Sequence, residues 1–166
     1  MEHVKGDFRR RLEEAESFGE IFRVVKSAVQ EVLNTRRAGL ELILADLPSG
    51  IGAMHQPGSN AIVMNRRYLQ MLLRSSKTRV EINSHVFFIL LHEYLHSLGF
   101  LDEDETKILS LRVIKETLGE DHPAYRIAVK DVSELRSLLE KEQDLGSDED
   151  VEIVKDFDTD NTQYIA

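Results

Sequence analysis

The sequence predicts an α+β domain: a small, mainly antiparallel sheet packed on one very apolar helix, with further helices around it. Three observations predict it. Apolar residues recur at helical spacing before residue 38 and after residue 83. Three short β-prone runs lie between those stretches. The helix over 83–98 (NSHVFFILLHEYLHSL) is apolar around most of its circumference, which suits a core position. With 166 residues and 42% hydrophobic side chains the chain can bury a core of its own, and its length fits one domain.

In order, residues 7–38 read as helical. Phe8, Leu12 and Ala15 open a stripe that Phe22, Val25, Val29 and Val32 continue. Ser17 and Glu20 form a capping box that splits this stretch into two helices near Gly19, and Gly39 is the expected stop. Residues 40–47 (LELILADL) read as a strand ended by Pro48, Ser49 and Gly50. Short strands follow over 51–55 and 60–65 (NAIVMN), and a helix over 66–74. Strands so close in sequence are expected to pair as hairpins. The apolar helix should be capped by Asn83 or Ser84 and stopped by Gly99. Another helix should run from Asp102 to Leu118. A last one should begin at Pro123 with the stripe Tyr125, Ala128, Val132, Leu135 and Leu139.

Composition excludes several kinds of protein. There is no Cys, so disulfides, thiolate metal sites and thiol nucleophiles are absent. Neither a secretory leader nor a membrane-spanning run is read in the sequence, so a cytoplasmic location is expected, with no membrane partner. Eight of the 30 acids fall in residues 144–166 against Lys155 alone, so the tail carries −7 of the net −9. The nearly neutral body gives no nucleic-acid footprint. Residues 1–145 are therefore taken as the domain and 146–166 as a disordered acidic tail. Arg9-Arg10-Arg11 reads as a solvated helix face, and Ser49-Gly50-Ile51-Gly52 lacks the spacing of a phosphate loop.

The chemistry concentrates in His92-Glu93-Tyr94-Leu95-His96. Residues i and i+4 of a helix share a face, so both imidazoles can reach one metal ion, with the intervening Glu beside a metal-bound water. Chance yields this pattern about 0.02 times in a chain of this composition, so the surrounding residues must strengthen it. They do so by being apolar, because two imidazoles and a carboxylate are costly to bury unless something pairs them.

HEYLHSLGFLD reads as H-E-x-x-H-x-x-G-x-x-D and resembles the zincin metallopeptidases, in particular small single-domain members such as the minigluzincins. The resemblance covers roughly residues 40–118. It implies a zincin-like fold, a Zn²⁺ cofactor and hydrolysis of a peptide or protein substrate. It implies His92 and His96 as metal ligands, Glu93 as catalytic general base and Gly99 as the turn beneath the metal. Asp102 stands at the third-ligand position. Glu103, Glu105 and His122 are rivals for that role, since no Met-turn follows Met71. The resemblance also implies a sheet-edge strand that aligns substrate, for which residues 60–65 are the candidate. Tyr94, His55 and His122 are candidate oxyanion donors, and His85 reads as a first-turn helix residue. The alternative is a catalytically inactive zincin-fold protein that acts by binding a partner. The run Val151–Val154 could add as a strand to a sheet edge, and in the cleft it would make the tail autoinhibitory.

Overall fold

A computed structural model of the chain describes residues 2–48, 50–75, 78–130, 152–155, 157 and 158. Two helices open the fold, α1 (Glu2–Glu14) and α2 (Phe18–Leu33). Then come β1 (Glu41–Ala45), β2 (Ala53–His55), β3 (Ala61–Asn65), α3 (Arg66–Arg74), α4 (Arg79–Ser97) and α5 (Glu103–Thr117). A helix α6 is described over 123–130, and β4 (Glu152–Val154) comes last. No helix among the described residues is long and apolar enough to cross a membrane.

The α1–α2 joint falls where Ser17 predicts it, with the Ser17 hydroxyl accepting the Glu20 amide at 3.1 Å. The stop of α2 differs from expectation. Asn34, in the left-handed region at φ 54°, ends the helix before Gly39 is reached. Asn tolerates this conformation better than most residues.

The sheet is mixed, in the order β2-β3-β1-β4. The hairpin expectation holds for β2 with β3, but β1 pairs β3 in parallel over five residues. Two of the sheet's three pairings are therefore antiparallel, as expected of a mainly antiparallel sheet, and the β1–β3 pairing is parallel. β2 takes the outside of β3, which leaves the inner edge of β3 to β1. Consequently β3 lies inside the sheet and cannot be the substrate-aligning edge. β2 is the edge on that side.

α4 starts one turn earlier than expected. Thr78 caps it by accepting the Glu81 amide at 3.2 Å. Asn83, expected as a cap, instead donates from its buried side chain to Leu12 O and Ala15 O. From Val86 to Leu95 every residue of α4 is buried. It packs on α1, α2, α5 and β2, which makes it the central helix that its composition predicts.

The described residues of the acidic segment pack against the body, and the strand expected in the Val151–Val154 run is β4. β4 pairs antiparallel with β1, Leu42 opposite Val154. Phe157 stacks on Phe22 with ring centroids 4.3 Å apart. The buried Asp158 carboxylate accepts from Lys26 Nζ at 2.9 Å and from the Gly39 and Leu40 amides. The rest of the expected disordered tail lies outside the described residues, as do Val132, Leu135 and Leu139 of the last helical stripe. β1 and β3 separate β4 from β2, so the described part of the tail is not in a cleft along β2.

Candidate metal centre

The site begins with the end of α4. Gly99, at φ 107°, adopts the left-handed conformation that glycine accepts without strain. The Phe100 amide then donates to Leu95 O at 3.2 Å and the Gly99 amide to His96 O at 3.0 Å, which closes the helix in a Schellman turn. The turn carries Phe100 O to His96 Nδ1, 2.7 Å away. Nδ1 thus keeps its proton, and Nε2 of His96 points outward. After two more residues Asp102 starts α5.

Two adjacent carboxylates part company here. Asp102 caps α5, accepting the Glu105 amide at 2.8 Å. Glu103, the first residue of α5, turns back to α4. Its Oε1 lies 2.6 Å from His96 Nε2 and 3.1 Å from His92 Nε2, and the two Nε2 atoms are 3.1 Å apart. His92, His96 and Glu103 are the group among the described residues whose ligand atoms converge this closely. Tetrahedral coordination with bonds of about 2.1 Å keeps ligand atoms about 3.4 Å apart, so a small outward movement of these side chains would admit an ion. Two imidazole nitrogens and one carboxylate oxygen can hold a divalent metal. The structure thus brings His92 and His96 together on one face, with Glu103, one of the rivals for the third position, beside them, while Asp102 is turned to the Glu105 amide. Neither Glu105 nor His122 joins them.

The charges fit one another. Hydrogen bonds from His92 and His96 hold the Glu103 carboxyl below the usual carboxylate range. The Glu103 hydrogen bond raises His96, against the opposing effect of burial. The imidazoles are nearly buried, but the Glu103 side chain keeps 52% of its exposure, so the centre opens to water on the α5 side.

Glu93 lies beside this face and is buried. Burial pushes its carboxyl pKa up, and the nearby His92 and His96 partly offset that. A carboxylate raised in this way is a better proton acceptor than an exposed one.

The three expected oxyanion donors are engaged elsewhere. Tyr94 is fully buried, its hydroxyl accepting the Arg37 amide at 2.8 Å. His55 Nε2 lies 2.8 Å from Ser59 O. His122 Nδ1 accepts the Ala124 amide at 3.0 Å and caps α6. His85 lies in the second turn of α4, not the first, with Nδ1 3.1 Å from the Tyr68 hydroxyl.

Sequence reasoning missed the support beneath the site. The Thr106 hydroxyl lies 2.9 Å from Phe100 O and 2.8 Å from Asp102 O, so it braces the carbonyl that orients His96. Arg37 spans Ser97 O at 2.7 Å and Ser59 O at 3.2 Å. It thereby ties the β2–β3 turn to the end of α4. A Thr one turn into a helix and an Arg in a loop carry no sequence pattern that marks these roles.

No family model, no curated protein and no solved structure matches this chain.

Proposed function

We propose that the protein is a zinc-dependent metallopeptidase. The observation that carries this reading is the convergence of His92 Nε2, His96 Nε2 and Glu103 Oε1 within 3.1 Å of one another, with the buried Glu93 beside them. The donor set, two nitrogens and one oxygen, suits zinc with a fourth position left open. Bound zinc supplies acidity to water and polarises a peptide carbonyl. Glu93 takes the proton of the attacking water and passes it to the departing amine. His92 and His96 hold the metal from α4, and Glu103 holds it from α5.

The substrate is a peptide or protein lying along β2. Asn65 N donates to Gly52 O at 2.8 Å. With the alternation of an antiparallel pair, this turns the backbone groups of Ala53 and His55 away from β3 and towards the free edge.

Two measurements test the proposal. Purified protein should hold close to one equivalent of zinc by elemental analysis. Glu93→Gln should retain that zinc and lose peptide hydrolysis by 10²-fold or more, the scale of a general base. Zinc binding without hydrolysis in the wild type would instead leave the inactive, partner-binding alternative.

A further inference from the structure

The chain has a net charge of −9, yet residues 66–79 hold Arg66, Arg67, Arg74, Lys77 and Arg79 and no acid. α3 occupies most of this basic stretch. Arg67 and Arg74 are exposed, and Arg66 pairs with Asp46 at 3.4 Å. One residue after Arg67, the Tyr68 hydroxyl lies 3.1 Å from His85 Nδ1. Both side chains are half-buried.

His85 precedes His92 by seven residues, two helical turns, so the two share a face of α4 about 10 Å apart. Ile89 lies between them, and Gly52 fits closely over it. A Cβ at Gly52 would stand 3.3 Å from Ile89 Cδ1. β2 begins just after Gly52 and ends at His55, whose turn Arg37 fastens to Ser97. The free edge of β2 therefore runs alongside α4, from the level of Ile89 to that of His96.

Charge is segregated along this path. At the metal end, Asp102, Glu103, Asp104 and Glu105 stand together at the start of α5. At the other end stands the Tyr68–His85 pair, with Arg66 and Arg67 in the same first turn of α3. An extended peptide rises about 3.3 Å per residue, so about three residues separate the two ends.

We propose that the centre acts on acidic peptide segments. A substrate carboxylate about three residues from the scissile bond, on one side of it only, docks at Tyr68, His85 and the Arg66–Arg67 turn of α3. Acidic residues on the other side are repelled by the start of α5. This rests on the metallopeptidase reading for the location of the scissile bond.

The test uses zinc-loaded full-length protein and fluorescein-labelled ten-residue peptides that differ only in one three-residue block: Asp-Glu-Asp, Asn-Gln-Asn or Lys-Lys-Lys. Fluorescence anisotropy should show the acidic peptide binding at least ten-fold more tightly than the basic one. That preference should shrink as salt screens it, and should fall several-fold in Arg67→Glu. His85→Gln and Tyr68→Phe should each weaken the acidic peptide more than the neutral one. Equal affinity for the three peptides overturns the inference, as does a charge preference unchanged in Arg67→Glu. Selective binding of acidic peptides with no cleavage of any peptide would leave this docking site standing and sink the hydrolase reading.

Discussion

Asp102 and Glu103 are neighbours with the same charge, but one belongs to a helix cap and the other to the candidate metal centre. Position decides this. The cap residue must turn its oxygen to the Glu105 amide, whereas the first helical residue is free to reach back to His92 and His96. Replacing each should therefore have separable effects. Glu103→Gln should lower zinc affinity by 10²-fold or more in competition with a chromophoric chelator, because it removes a ligand. Asp102→Ala should cost about 1 kcal/mol of stability through the lost cap, read by denaturant unfolding, and should leave zinc affinity within a few-fold. The opposite pattern would return the ligand role to Asp102. Thr106 gives a subtler case. Thr106→Val keeps the shape but removes the hydroxyl from Phe100 O, so His96 loses part of its support. Zinc affinity should fall by about ten-fold, the lower end of outer-shell effects.

Among the elements, β4 is the strand that the Val151–Val154 run suggests, set at a sheet edge among partners that the acidic composition around it does not announce. Acidic blocks around Val151–Val154 read as a solvated tail, since composition counts charge without seeing its partners. The structure supplies those partners: Lys26 and two amides for Asp158, Phe22 for Phe157, and β1 for β4. Phe22 in turn meets Tyr94 edge-on at 5.3 Å, so this segment braces α2 against α4. Breaking a buried ion pair by removing one partner costs about 3–5 kcal/mol. Asp158→Ala should show a loss of that order in chemical denaturation. Deleting residues 152–166 should lower the melting temperature and should not raise peptide turnover. A gain in turnover would restore the autoinhibitory role that the sequence suggests for the tail.

At the scale of the whole molecule, the parts of the fold with a local signal were legible. Ser17, Asp102, Gly99 and Pro123 mark helix ends where the structure has them, because caps are read from adjacent residues. The apolar girth of α4 foretells its central place. Strand order was not legible. Whether β1 meets β2 or β3 depends on which faces the helices cover, and Leu42, Ile62 and Met64 look alike in either arrangement. His92 and His96 were legible because a helix fixes their spacing. Glu103 was legible only as one rival among several, because which carboxylate reaches the two imidazoles follows from the angle between α4 and α5. His122 shows how the long-range packing also sets a global property. Its ring is buried where α6 begins, between Arg9, Asp121 and Arg126. Burial, with Arg9 nearby, lowers its pKa to about 4 from the ordinary 6.5. Between those values the unfolded chain takes up a proton that the folded chain refuses. Stability is therefore fully present above about pH 6.5 and declines as pH falls towards 4, by at most about 1.4 kcal/mol per pH unit from this group. Asn at this position can still accept the Ala124 amide but cannot titrate. The His122→Asn variant should thus unfold in denaturant with a shallower pH dependence than wild type across that window and a similar one above it. If the two proteins lose stability in parallel from pH 6.5 to 4, His122 is not held neutral by its surroundings.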